Sequence, residues 1–305
     1  MAAISLSIWR YEVCYSSGVT LARCQVALCA LGCLLWASSV VHGQAPGTAS
    51  SSRQTSSQDD EDAQDARFRP AEPSYRLVNL PTTLRLPRHR SNFDMIHRFN
   101  GNLRRGSFGE QAGNLFGLDQ GASIGIEYRY GIARHVQAIV YRTNIDKTFQ
   151  FSGKYDAARQ SASMPLSISA QVSVEGADNF QERRSPSLAL TVSRSFRDSI
   201  ALHASPIWVH NSAALLGGDQ DTVFVGLGGR VRVRRTVYVV GEVSPRVNGY
   251  APGKAEFGFG IEKRAGRHVF QLNIANSQAS TFGQLARGGF SDSLYLGFNL
   301  ARKFY

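Results

Sequence analysis

From residue 91 onward, apolar and polar positions alternate along the chain with a period of two. In residues 122–130 the even positions are apolar or aromatic, whereas the odd positions are small or charged. The same pattern runs through residues 166–175, 255–262 and 293–300. Successive side chains of a strand point to opposite faces, so this period predicts strands with one apolar face and one polar face. No long segment has helical spacing.

Less regular alternation fills the intervals between these four segments and brings the prediction to about 12 strands, within a range of 10–14. Most of them have the length of roughly ten residues that a tilted strand needs to cross the hydrocarbon core of a bilayer. The additional strands are predicted at 91–99, 136–143, 147–157, 187–196, 199–210, 222–233, 236–246 and 267–275.

The predicted connections alternate between short turns and longer loops, as they do in transmembrane barrels. One connection, 144–146, is short where a long loop is expected. The sequence therefore predicts an all-β fold, an antiparallel up-and-down transmembrane β-barrel over residues 91–305, with both ends on the short-turn side. The predicted long loops are 100–121, 176–186, 211–221, 247–254 and 276–292.

Alternation alone is also compatible with a soluble periplasmic β-barrel that binds an apolar ligand. Two features favour the membrane barrel. The apolar faces end in aromatic residues such as Tyr130 and Trp208, which suits interfacial girdles. The opposite faces are too charged for a dry core, and we predict that they line the lumen, with Glu127, Arg129, Lys154, Glu175, Arg230, Arg232, Glu256 and Glu262.

The N-terminal part predicts export. Residues 26–41 form an uncharged apolar run that follows Arg23 and precedes Gly43. Sixteen residues fall short of the roughly 20 that a spanning helix needs, so we predict a signal peptide over residues 1–43, with cleavage after Gly43 and a translation start nearer Val19. Export and the barrel together predict the outer membrane of a Gram-negative-type bacterium.

Residues 44–73 are rich in Ser, Gln and Asp and predict a disordered polar and acidic linker. The acidic cluster at 59–65 lacks the glycine and the terminal glutamate of a calcium loop. Residues 74–90 contain two prolines and short apolar pieces. We interpret them as a periplasmic lead-in or as a plug segment, and the sequence leaves both possibilities open.

The charge and the cysteine content of the chain limit the classes of function that the protein could have. All four cysteines lie within residues 14–33, so thiol chemistry is excluded from the rest of the chain. The formal net charge is +11, yet the arginines are scattered through turns and strands without a basic helix or an RNA-binding motif. This distribution favours anionic lipid headgroups, or an anion-favouring lumen lined by Arg129, Arg230 and Arg232, over nucleic acid.

Candidate chemistry is sparse. His203 and Ser205 share one side of a predicted strand, and a Ser/His pair is the arrangement of a lipid hydrolase, but no acid partner can be assigned. No His-x-His or His/carboxylate cluster predicts a metal site, and no cofactor is expected. The glycines at 226, 228 and 229 lie inside a strand with no following helix, so we interpret them as curvature relief in a barrel wall rather than as a phosphate loop.

The chain resembles the bacterial β-barrel proteins grouped as domain of unknown function 5777, over residues 74–305. The resemblance rests on short motifs in order, among them Arg76-Leu77-Val78-Asn79, Lys147-Thr148-Phe149 and Gly228-Gly229-Arg230. The other motif residues are His97, Arg98, Phe99, Gly117, Leu118, Asp119, His268, Phe270, Gln271, Asn276 and Asn299. The resemblance implies a barrel and no established activity. The terminal pair Phe304-Tyr305 also resembles the signature that barrel-assembly machinery recognises in a C-terminal strand.

These observations predict a non-enzymatic outer-membrane barrel in contact with lipid, which acts as a narrow channel for small solutes or as a structural envelope component. The solute is not predicted. Two alternatives remain open: a membrane-embedded lipid hydrolase that uses His203 and Ser205, and the soluble ligand-binding barrel.

Overall fold

The computed structural model describes residues 68–212, 221–249 and 253–305. The predicted signal peptide, residues 1–43, and residues 44–67 of the predicted linker lie outside the described residues.

The described chain forms a closed antiparallel barrel of 12 strands, as predicted. Each strand pairs with its neighbours in the sequence, and the first strand pairs with the last, which closes the sheet. A three-residue strand, β10, extends the wall beside β8. The strands are β1 Ser91–Asn102, β2 Ala122–Ala133, β3 Val136–Thr143, β4 Phe149–Ala158, β5 Ser167–Gly176, β6 Glu182–Phe196, β7 Ile200–Val209, β8 Thr222–Arg234, β9 Val237–Ser244, β10 Arg246–Asn248, β11 Glu256–Ala265, β12 His268–Ala275 and β13 Tyr295–Phe304.

The alternating apolar and polar positions of the sequence form the outer and inner faces of the barrel wall. Large apolar side chains such as Val172, Ile261 and Leu272 are each 58% exposed on the outside. Polar and charged side chains such as Arg98 and Glu256 are buried on the inside. A wall that is apolar outside and polar inside is the arrangement of a transmembrane barrel.

The connection between β5 and β6 differs from the prediction. A long loop was predicted at 176–186, but β6 already begins at Glu182, and only one turn, α2 Ala177–Phe180, separates the strands. Ser185 pairs with Glu175 as part of the ladder. Glu182, Arg183 and Arg184 have no apolar face, so alternation could not detect this extension of the strand.

Two other short helices lie in the connections. Helix α1, Phe108–Gly113, follows β1 and begins with a capping box formed by Ser107 and Glu110. Helix α3, Phe282–Ala286, lies between β12 and β13 and is buried. Within the described ranges, no helix has the length and apolar character needed to span a membrane.

The core lies inside the barrel and is built largely from two inserts. The first insert is residues 68–90, which we call the inserted segment. The second is residues 276–290, which we call the inner loop and which contains α3. Ala71 and Glu72 are buried, so we place the start of the inserted segment before Ser74, within the range predicted as linker.

Candidate functional site

Residues 75–82 of the inserted segment form a tight hairpin inside the barrel, which we call the lumen hairpin. The backbone N–H of Leu77 donates to the carbonyl of Leu80 at 2.8 Å, and the N–H of Thr82 donates to the carbonyl of Tyr75 at 3.0 Å. Leu77, Val78 and Leu80 at its tip are buried.

Glu242 of β9 binds the tip of the lumen hairpin. Its carboxylate accepts the backbone N–H groups of Val78 at 3.0 Å, Asn79 at 2.7 Å and Leu80 at 3.0 Å. Hydrogen bonds to a charged acceptor are stronger than those between neutral groups. One wall carboxylate therefore satisfies three consecutive buried backbone donors.

The side chain of Asn79 is also bound by the wall. Its Nδ2 donates to Glu256 Oε1 at 3.0 Å, and its Oδ1 accepts from Arg98 at 3.1 Å. The carbonyls of the tip are satisfied as well, because Asn299 donates to Val78 O and Gln271 donates to Leu77 O, both at 2.9 Å. The wall thus provides hydrogen-bond partners for both the donors and the acceptors of the tip.

Arg76 joins the lumen hairpin to both the wall and the inner loop. Its guanidinium forms an ion pair with Glu127 of β2. It also donates to the carbonyl of Ser280 in the inner loop at 3.3 Å. The carbonyl of Arg76 accepts from Arg230 of β8 at 2.8 Å. Arg76 is therefore the point at which both inserts and the wall meet.

Inward-facing glycines provide the space for the hairpin. A Cβ at Gly226 would lie 2.5 Å from Leu80, and one at Gly228 would lie 2.5 Å from Leu77. Real Cβ atoms do not approach other atoms this closely, so any larger residue would collide with the tip. Gly226 and Gly228 therefore make room for the hairpin, a role in addition to the curvature relief predicted for the glycines of this strand.

The rest of the inserted segment lies against the opposite wall. Thr83 Oγ1 and Ser193 Oγ of β6 are 2.5 Å apart, and Lys154 of β4 donates to the carbonyl of Leu84 at 2.9 Å. Tyr75, Leu84 and Leu86 form a second apolar cluster, against which the terminal Tyr305 packs. The C-terminal residue therefore contacts the insert, whereas its neighbour Phe304 is exposed on the outside.

The inner loop fills the lumen from the long-loop end. Glu175 of β5 accepts the backbone N–H of Gly283 at 3.0 Å. The side chains of α3 then pack with the hairpin tip and inward apolar residues of the wall in one cluster, which contains Leu77, Val78, Leu80, Ala189, Ile207, Val209, Phe224, Val240, Ala279, Phe282, Leu285 and Ala286. Both inserts thus share a dry core inside the barrel.

The predicted lumen residues lie on the inward face, and all are buried except Arg232, which lies near the short-turn end. The cations among them have partners. Arg129 binds Glu127 at 2.9 Å, and Arg230 binds Glu262 at 2.5 Å. Arg232 donates to backbone carbonyls near that end. Two of the three arginines predicted for an anion-favouring lumen, Arg129 and Arg230, are therefore paired with carboxylates, whereas Arg232 binds carbonyls.

His203 and Ser205 are both buried inside the barrel, but they do not form a nucleophile and base pair. Ser205 donates to Thr191 at 3.1 Å, and neither ring nitrogen of His203 has a hydrogen-bond partner among the described residues. The nearest acid is Glu72, with its Oε1 3.6 Å from His203 Nε2. Burial raises the pKa of the Glu72 carboxyl above its ordinary value.

The histidines of the resemblance motifs lie apart from each other. His97 faces outward between Phe99 and Phe298, with ring centroids 4.5 and 4.7 Å away. His268 begins β12 at the short-turn end, and Asp119 lies in the turn Leu115–Gln120 beyond the other end of β1. In residues 68–212, 221–249 and 253–305 no group of three metal-binding side chains converges.

The remaining motif residues have structural contacts. Arg98, Gln271 and Asn299 bind the hairpin tip, whereas Asn276 binds the backbone of residues 255 and 257 at 2.9 and 2.8 Å. Gly117 packs against the backbone of Gly101, where a Cβ would collide. Phe99 and Phe270 lie on the outer face, and Leu118 is exposed in its turn.

The sequence could not identify Glu72, Glu242 or the inner loop as parts of this site. Glu242 occupies an inward position of β9, so alternation places it correctly but gives no partner for it. Open space lies at both ends of the barrel. Two cavities of about 310 and 400 Å³ lie beside Phe68 and Arg69 at the short-turn end, and one of about 400 Å³ lies beside Asn102 at the long-loop end. A separate cavity inside the barrel, beside Arg76, has only about 10 Å³, roughly the space of one water.

The wall, its two faces and its occupied interior define a membrane β-barrel with an internal insert. The family model described as a membrane bound beta barrel domain, DUF5777, matches residues 73–304. The chain belongs to this family, and the soluble alternative is thereby replaced by a membrane protein.

Among solved structures, the chain is similar to NanC porin, with a TM-score of 0.48 and 8% identity over 70% of this chain and 99% of the porin. It is also similar to the COG4313 outer membrane channel from Pseudomonas putida F1, with a TM-score of 0.44 and 11% identity over 72% of this chain and 97% of that one. A mutant porin of Rh. blastica gives a TM-score of 0.33 and 14% identity over 60% and 55%. No curated protein matches the chain.

Proposed function

We propose that the protein is an outer-membrane channel for small solutes, which the inserted segment holds closed. The observation that supports this function most strongly is the attachment of the lumen hairpin. It binds the wall through side chains and backbone N–H groups, as at Glu242, and pairs with no strand of the barrel. The hairpin can therefore leave without breaking a strand ladder.

The wall that such a movement would expose supports a water-filled passage. Eight-stranded barrels are filled by their own side chains, whereas 12 strands enclose enough room for a hairpin and a loop. The inward groups that bind the hairpin, such as Arg98, Arg230 and Glu256, are charged. Water solvates such groups well, so the emptied lumen favours hydration over collapse.

The placement in the outer membrane is part of the proposal. It is supported by the predicted signal peptide and by the outward apolar face of the wall. The inserted segment enters at the short-turn end, where Phe68 and Pro73 lie beside Arg267 and Tyr305. We assign this end to the periplasm and propose that the C-terminal strand, with exposed Phe304, is the signal for barrel assembly.

We do not propose the lipid hydrolase, because Ser205 donates its hydroxyl hydrogen bond to Thr191 rather than to His203. The second candidate function is a structural envelope component. In that case the inserted segment would stay in the lumen at all times. Conductance separates these two functions.

The test compares full-length mature protein with Gly226→Val in planar bilayers. Valine takes the space of Leu80, so the variant should show discrete conductance steps more often than the wild type. Gly241→Ala is the matched control, because a Cβ there meets nothing closer than 3.9 Å. A folded Gly226→Val protein without conductance would show that the barrel is a structural component.

A further inference from the structure

Carboxylates of the wall accept hydrogen bonds from the donors of the lumen hairpin. Glu242 accepts three backbone N–H groups of the tip, and Glu256 accepts the amide of Asn79. In the described ranges, no arginine or lysine forms an ion pair with either glutamate. Glu256 Oε2 is buried and has no hydrogen-bond partner there.

Three other pairs of inward charges lie within the wall and remain when the hairpin is absent. Glu127 retains Arg129 at 2.9 Å, and Arg230 retains Glu262. Lys154 retains Asp156 at 2.9 Å. These pairs are neutral with or without the insert. Withdrawal of the hairpin therefore leaves Glu242 and Glu256 as the wall carboxylates that have lost their donors.

Arg98 is the cation nearest to this pair, and it does not neutralise both carboxylates. It donates to Asn299 of β13 at 2.8 Å and to the carbonyl of His97 at 3.0 Å, and both contacts belong to the wall. Its two contacts with the hairpin, to Val78 O at 3.5 Å and to Asn79 Oδ1 at 3.1 Å, are the ones that disappear. Two carboxylates beside one arginine leave a net negative charge.

Glu242 and Glu256 also lie close enough to act on one solute. They belong to the neighbouring strands β9 and β11, where Glu242 pairs with Gly258 and Glu256 pairs with Ser244. This places them as diagonal neighbours on one face, about 7–8 Å apart between Cα atoms. Asn79 contacts both, through its backbone N–H and its side-chain amide.

We propose that the opened lumen selects small cations over anions, and that Glu242 and Glu256 form the selective site. Side-chain carboxylates in a narrow passage attract cations and repel anions. In the closed state, the N–H groups of the hairpin tip occupy the positions that a cationic solute would take in the open state. An ammonium or guanidinium group offers the same kind of N–H donor to the two carboxylates. The inference rests on the proposed channel, and it replaces the anion preference that the sequence predicted.

The experiment measures reversal potentials of full-length Gly226→Val protein in a potassium chloride gradient. The expected result is a potassium-to-chloride permeability ratio above one. Adding Glu242→Gln and Glu256→Gln should lower that ratio by about threefold or more. Glu182→Gln is the control, because this exposed glutamate at the start of β6 lies outside the lumen site and should leave the ratio unchanged.

The outcomes separate this inference from the function on which it rests. Absence of conductance in folded Gly226→Val protein overturns the channel itself. Conductance with a chloride preference, or with a ratio that the two glutamine substitutions do not change, leaves the channel intact and overturns the cation site.

Discussion

The carboxylate of Glu242 accepts the backbone N–H of Asn79 at 2.7 Å, although 163 positions separate the two residues in the sequence. The contact joins a wall strand to the tip of an insert that enters before the first strand. It lies in a buried environment, where a hydrogen bond to a charged group contributes more than it does in water. Polar contacts between residues far apart in the sequence therefore hold the insert together with its apolar packing.

Glu242→Gln should loosen the lumen hairpin. The glutamine has no charge and offers fewer acceptor sites, and hydrogen bonds to charged groups contribute about 1.5–3 kcal/mol. We expect the free energy of hairpin docking to fall by about 2 kcal/mol. Amide hydrogen exchange at Val78 and Leu80 reports this change directly, with Glu182→Gln as the control. Unchanged protection at both amides would contradict the role of Glu242.

Arg76→Met should destabilise the folded protein, because it removes the guanidinium from a buried carboxylate. Glu127 keeps its ion pair with Arg129, so the free energy of unfolding should fall by about 3 kcal/mol, near the lower end of the range for a broken buried ion pair. Urea unfolding in detergent, followed by tryptophan fluorescence, gives this value.

A double-mutant cycle with Glu127→Gln isolates the coupling between Arg76 and Glu127. The coupling energy should favour the wild-type pair. Additive effects of the two substitutions would show that the ion pair does not hold the insert.

Ile261→Arg should destabilise the protein in a bilayer, because Ile261 is 58% exposed on the apolar outer face of β11. Arginine on the lipid face costs about 2–4 kcal/mol near the bilayer midplane. Val247→Arg is the control, since Val247 is 68% exposed in β10, beyond the end of β9 on the long-loop side. Folding titrations in lipid vesicles should give a larger loss for Ile261→Arg, and equal losses would contradict the assigned lipid face.

Glu72 should make the stability of the insert depend on pH. Burial raises the pKa of its carboxyl, so the folded protein keeps this proton at a pH where the unfolded chain has lost it. The resulting stabilisation is present below the unfolded pKa of about 4.3 and is lost as the pH rises through the folded value. The charged or titratable groups that act on Glu72 are Arg69, Lys154, His203, Arg230 and Lys303.

Glu72→Gln cannot lose a proton, so its free energy of unfolding should fall less than that of the wild type as the pH rises from about 4 to 8. Parallel curves for the two proteins would show that the Glu72 carboxyl does not titrate in a buried position.

The strands could be predicted because the wall is half apolar and half polar. Alternation located all 12 barrel strands, and the inward face of residues such as Glu127 and Glu256 followed from the same period. The start of β6 was missed because Glu182–Arg184 extends a strand without an apolar face. The extension is visible only in the pairing of Ser185 with Glu175.

The contents of the lumen could not be predicted in the same way. A hairpin held by side chains has no hydrophobic period, and its partners lie on strands far along the chain, as Arg76 and Glu127 show. The arginines implied an anion-favouring lumen, because the sequence gives charges but not their distances. Gly226 and Gly228 were the one available signal, since small inward residues leave space for an insert.

We propose that the inserted segment closes a channel, and a reversible tether between the segment and the wall tests this closure. Thr83 Oγ1 and Ser193 Oγ are 2.5 Å apart, which suits a disulfide between Thr83→Cys and Ser193→Cys, and all native cysteines precede residue 34. Both substitutions are combined with Gly226→Val in mature protein, and bilayer conductance is recorded before and after reduction. Conductance should be low while the disulfide is intact and should increase on reduction, whereas Gly226→Val alone should not respond to the reductant. Equal conductance in the oxidised and reduced states would contradict the proposed closure.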